Sequence, residues 1–170
     1  MKFTREILIK LAKGYSYPKD DPVIKAPKVF LTRDEFIEIG QWKTSRQINN
    51  FQSNDEKFIQ ETTQVAFSPK TSERLRIEIL RLLKGVDYPV ASTILHFGYN
   101  PKKYPIIDFR AIWSLYKLNP GEFKYSFEFW DKYRKECLKM ASEFDMPLRE
   151  LDKALWQYSK KPETLGSVPN

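Results

Sequence analysis

Residues 82–115 read LLKGVDYPVASTILHFGYNPKKYPIIDFRAIWSL, and this stretch decides the fold. One apolar helical run ends at Leu83 and another starts just after Pro89, too close together for anything but a tight hairpin. Gly85 supplies the positive φ that such a turn needs. Val86 is apolar at the tip, which predicts that it packs back between the helices. Pro89 suits the first turn of the second helix, where Ala91, Ile94 and Leu95 form a small, closely packed face. Such a hairpin aims unpaired N–H groups and a helix dipole at an anion. Contact made through the backbone holds DNA without reading its sequence.

Outside this stretch the pattern is helical almost throughout, so the expected class is all-α. Ile7, Leu8 and Leu11 share a face over Thr4–Lys13, and Gly14 is a stop. The segment YSYPKDDPVIKAPK, with three prolines, reads as a loop or extended arm. Thr32 and Glu35 then form a capping box, with Leu31 and Phe36 as its hydrophobic staple, ahead of a helix reaching Trp42. KTSRQINNF is a short helix or a turn. A helix over Asp55–Phe67 is expected to bury Phe58, Ile59, Thr62, Val65 and Ala66. The next, over Ser72–Leu83, is expected to bury Leu75, Ile79, Leu82 and Leu83. Later helices cover Phe109 to Leu118, Phe127–Phe144, and a last run with Leu148, Leu151, Leu155 and Tyr158 at helical spacing. The tail 161–170 is expected to fray. No run alternates long enough for a strand.

The length, 170 residues, is that of one domain. The expectation is a single helical domain over 1–170, with a hairpin-containing core at about 32–118. The N-terminal helix and 126–160 would form a second lobe. Lys and Arg number 29 against 22 acids, a net charge of +7 that favours a polyanionic partner. Cys137 is the single cysteine, which excludes an internal disulfide, a Cys-based zinc site and a Cys-ligated iron–sulfur cluster. The single histidine, His96, excludes a two-His metal site. With no secretory leader and no run of about 20 apolar residues, a cytoplasmic protein without a membrane partner is expected.

LLKGVDYPVASTILHF followed by YPIIDFRAI resembles the helix-hairpin-helix DNA glycosylase superfamily, the endonuclease III-like proteins. That family's pattern is L-P-G-V-G-x-x-T-A, an apolar helix, then P-x-x-D before another helix. The likeness covers Ile77–Leu115. It implies two helical lobes with a cleft, duplex DNA as partner and a monomer. It also implies no cofactor beyond a monovalent cation at the hairpin. Lys84, Gly85, Val86, Asp87, Tyr88 and Pro89 would hold the backbone, with Lys102, Lys103 and Arg110 as further DNA contacts. Asp108 would be catalytic. A carboxylate near C1′ stabilises the oxocarbenium-like state of N-glycosidic cleavage and orients or deprotonates water. The base would be flipped into a pocket with apolar or aromatic walls. Trp42, Lys43, Tyr104 and Phe109 are the pocket candidates.

Two positions depart from the pattern. Asp87 stands where a second glycine is usual and brings a carboxylate close to the phosphate position. Pro89 stands where bifunctional members carry their Schiff-base lysine, so a monofunctional enzyme is implied. Each residue also has a plainer role. Asp108 makes a good N-cap, Trp42 a core residue, and the lysines a solvated face. The alternatives are a non-catalytic helix-hairpin-helix DNA-binding module and a helical interaction protein without nucleic acid.

Overall fold

The computed structural model describes residues 3–160; the tail 161–170 lies outside the described residues. Among the described residues there is no strand, and the class is all-α. No helix there is long and apolar enough to cross a membrane. The chain divides into two compact units, one central (19–104) and one formed by both ends (1–18 with 105–170). Residues 105–118, grouped with the hairpin core on the sequence, thus belong to the terminal unit. The physical reason is that the segment ahead of Asp108 is bonded to the C-terminal helices.

The central unit holds α2 (Arg33–Lys43), α3 (Ile48–Gln52), α4 (Glu56–Phe67), α5 (Glu73–Leu80) and α6 (Tyr88–Ile94). The terminal unit holds α1 (Arg5–Lys13), α7 (Phe109–Tyr116), α8 (Phe127–Glu143) and α9 (Leu148–Tyr158). The start of α2 is built as expected. Thr32 Oγ1 accepts from Glu35 N–H at 3.3 Å, and Glu35 Oε2 accepts from Thr32 N–H at 3.0 Å. Leu31 and Phe36 are both fully buried beneath this box. KTSRQINNF becomes a 3-10 turn, Ser45–Gln47, running into α3. In the terminal unit α9 packs against α1, α7 and α8. It buries Leu148, Leu151, Leu155 and Tyr158.

Two helices differ in part from the expected inner face. In α4, Ile59, Thr62 and Ala66 are buried as expected, but Phe58 and Val65 are exposed and Thr63 and Phe67 are buried in their place. In α5, Leu75 is 49% and Leu82 63% exposed, and the buried residues are Arg76, Ile77 and Leu80. The cause is Arg76. Its guanidinium turns inward and donates to the carbonyls of Ala66, Ser68 and Thr71, which satisfies the end of α4. The helix also stops at Leu80, so Leu82 lies in the turn rather than on the helical face.

Each unit contains a carboxylate held in its charged form. Burial alone would raise the Asp131 carboxyl, but hydrogen bonds from Lys135 and Arg134 outweigh it and hold it below the usual range. Burial likewise opposes the lowering at Glu35, where the Lys28 hydrogen bond and the Thr32 backbone prevail. A carboxylate depressed in the folded state contributes stability above its unfolded pKa and loses it as pH falls through the folded value. Urea midpoints should therefore fall as pH drops below about 4. Asp131→Asn and Glu35→Gln should each flatten that decline.

Candidate nucleic-acid interface

The hairpin between α5 and α6 is shaped from inside. Gly85 has φ +84°, and a Cβ there would lie 2.9 Å from the Phe51 ring. A Cβ on Gly40 would meet another edge of the same ring at 2.9 Å, so Phe51 is wedged between two glycines. Asn54, a buried residue that the sequence reading passed over, clamps the turn. Its Oδ1 accepts from Lys84 N–H at 2.8 Å and its Nδ2 donates to Lys84 O at 3.0 Å. Val86 packs inward as expected, and its N–H donates to Leu83 O at 3.1 Å.

The expected DNA contacts divide accordingly. Val86 and Tyr88 are buried, so they support the turn and offer no contact surface, a correction to their expected role. The Tyr88 hydroxyl donates to Glu78, and the Arg81 guanidinium lies 4.5 Å from its ring centroid. Burial, reinforced by that hydrogen bond and the Glu78 charge, pushes the Tyr88 hydroxyl well above its ordinary value. Lys84 and Asp87 are exposed, while Gly85 and Pro89 are partly so. The Gly85 and Asp87 N–H groups have no acceptor among the described residues. These two amides and the Lys84 ammonium are what the turn has for an anion.

Asp87 competes for that role. Its side chain caps α6, accepting from its own neighbour Tyr88 N–H at 2.8 Å, and it pairs with Arg81 at 3.0 Å. Arg81 also holds Glu78 at 2.6 Å, so this arginine is committed to two carboxylates. Asp87→Asn keeps a good cap and removes one negative charge. If the turn holds a duplex, this should tighten the affinity about two- to tenfold at low salt, measured by titration at several salt concentrations. An unchanged affinity would place Asp87 away from the phosphates.

Lys102 and Lys103 follow the far end of α6, where a π-helical turn, Leu95–Tyr99, extends it. At the helical rise this places them roughly 15 Å or more from the hairpin. Lys103 is paired with Glu73 at 2.6 Å. Neither lysine joins the hairpin site, because α6 separates them from it. Tyr104 is fully buried and hydrogen-bonded to Glu73 at 3.1 Å. Trp42 is buried edge-to-face on Phe97 at 5.1 Å. Both rings are core residues rather than open pocket walls. Lys43 closes α2 and is partly exposed.

Asp108 is positioned by the terminal unit. Ile106 N–H donates to Asp152 Oδ2 at 3.1 Å on α9, and Ile106 O accepts from Tyr133 Oη at 3.1 Å on α8. Ile106 and Ile107 are buried, so the peptide leading to Asp108 is anchored on both sides. Asp108 itself is partly exposed, and its Oδ1 caps α7 by accepting from Arg110 N–H at 2.9 Å. A cluster that the sequence reading did not assemble surrounds this end of the unit. Tyr15 and Tyr17 stack at 5.9 Å, and each meets Trp156 edge-on, at 5.2 and 5.6 Å. The Arg110 guanidinium lies 5.1 Å from the centroid of Phe109 and 5.7 Å from that of Trp156. Arg149 lies 5.2 Å from that of Tyr15. The Tyr17 hydroxyl is pushed up to about 12, first by burial, then by Tyr15 and the Asp108 charge, against the pull of Arg149. Tyr17 thus stays a neutral donor, in electrostatic reach of Asp108. Its only sequence signal was YSY before Pro18, in a segment read as a loop.

His96 is buried, with Nδ1 2.7 Å from Tyr104 O, and is a structural residue of the central unit. In comparisons with known proteins, no family model, no curated protein and no solved structure matches this chain.

Proposed function

We propose that this chain is a DNA-binding base-excision protein, a monofunctional N-glycosylase of helix-hairpin-helix type. The observation that carries the reading is the setting of Asp108. A partly exposed carboxylate caps a helix two residues after Ile106, whose backbone is bonded to Asp152 and Tyr133, and it stands beside half-buried rings and two arginines. Cleavage of an N-glycosidic bond builds positive charge on the sugar. A preorganised carboxylate stabilises that charge and directs water to C1′. The water oxygen bonds to C1′, the base leaves with the bonding electrons, and the water's proton passes to the carboxylate. The rings of Tyr15, Tyr17 and Trp156 suit an unstacked base, and Arg110 and Arg149 suit its flanking phosphates. The hairpin would hold the duplex through the Gly85 and Asp87 amides and Lys84. Pro89 has no amine with which to form a Schiff base, so strand cleavage by β-elimination is not part of the reaction.

The test is a base-excision assay on labelled duplexes carrying uracil, alkylated and oxidised bases and mismatches, each sample divided with and without alkali. Alkali-dependent cleavage of at least one duplex is expected. Duplexes that are bound but never processed would favour a non-catalytic binding module. The observation that supports that second reading is that the Asn54-clamped hairpin is built entirely within the central unit, to which Asp108 does not belong.

A further inference from the structure

The central unit has another concave surface, at the end of α6 remote from the hairpin. A groove of about 790 Å³ runs between the arm 26–29, the end of α4 and the loop after the π-helical turn. Its size is that of sites enclosing most of a ligand. The walls are tied together. Lys28 N–H donates to Gly98 O at 2.8 Å. A Cβ on Gly98 would lie 2.9 Å from the Phe67 ring, so arm, turn and helix approach as closely as a glycine allows. Phe67 and Tyr99 stack at 5.4 Å with planes 5° apart. Arg76 fastens the end of α4 from behind.

The lining has a distinct chemistry. Pro27, Pro69 and Pro101 bring three pyrrolidine rings, and Val29 is 68% exposed beside them. The charged residues are Lys28 and Lys102, with no acid among them. Glu35 pairs with Lys28 at 2.6 Å, whereas Lys102 is exposed and pairs with no carboxylate among the described residues.

We infer that this groove binds an acidic, proline-containing peptide segment of a partner protein, held in extended polyproline-II form. Grooves walled by aromatic and pyrrolidine surface suit that helix, which is preformed and loses little entropy on docking. The uncompensated Lys102 selects acidic flanks.

The test uses the full chain and a fluorescein-labelled octapeptide with acidic ends and a Pro-Leu-Pro-Pro centre. Polarisation should saturate below about 1 mM, and the side-chain amide resonances of Gln64 and Asn100 should shift with the same midpoint. Lys102→Glu, at an exposed position, should weaken binding about tenfold or more. Lys84→Ala at the hairpin should leave it unchanged. A Gly-Leu-Gly-Gly centre should also bind about tenfold more weakly. No saturation, equal binding of the glycine peptide, or shifts at Gln64 and Asn100 caused by duplex DNA in place of the peptide would each overturn the proposal.

Discussion

Asp108→Asn should lower single-turnover base release by about 10²–10⁴-fold, the usual scale for removing an acid–base group or a preorganised charge. The denaturation midpoint and the duplex affinity should stay close to those of the parent chain. The substitution is well suited to separate chemistry from folding. Asn caps helices about as well as Asp, and its Oδ1 can still accept from Arg110 N–H. What it loses, on the proposed reading, is the charge that would stabilise a cationic sugar and the site that would receive water's proton. A variant that folds, binds and still excises at the parent rate would remove Asp108 from the mechanism. Loss of binding together with activity would instead mean that the carboxylate charge serves the duplex contact or the fold rather than the chemistry.

Gly85→Ala should destabilise the chain by about 2–5 kcal/mol, from two causes that add. Left-handed backbone costs an L-residue about 1–2 kcal/mol, and φ at Gly85 is +84°. Overpacking costs typically about 1–3 kcal/mol, and the new Cβ would stand 2.9 Å from the Phe51 ring and 3.1 Å from Asn50 Cβ. Urea unfolding measures the total. A Phe51→Leu background separates the parts, because relieving the ring contact should recover the overpacking share and leave the backbone share. A loss below about 1 kcal/mol would mean that the turn readily adopts another conformation.

Features written in adjacent residues were legible without a structure. The Thr32–Glu35 box, the Gly85 turn, the inward Val86 and the cap at Asp108 each depend on neighbours a few positions apart, where backbone geometry leaves few alternatives. The same logic failed at α5, where the inward-facing residue is Arg76. Its burial is stabilised by carbonyls at the end of another helix, and that satisfaction has no signature in local periodicity. Leu75 was assigned to the core by that periodicity, and Leu82 because the helix was carried past its end at Leu80. In the candidate site, Asp108 was readable and its surroundings were not. Tyr15, Tyr17, Arg149 and Trp156 come from opposite ends of the chain and meet only once α1 packs on α9. Asn54 was missed because a carboxamide that clamps a distant turn looks, in sequence, like any loop asparagine.

The chain has four tryptophans. Trp42, Trp113 and Trp130 are buried, and Trp156 is partly exposed among Tyr15, Tyr17 and Arg110. The protein therefore carries its own optical reporter. Acrylamide should quench a minor, red-shifted part of the emission, arising from Trp156, while the blue-shifted majority stays protected. An unpaired base lying against the cluster would shield that part from the quencher and shift its spectrum. Occupancy beside Asp108 would then be visible in real time, with unlabelled protein, before any bond is broken.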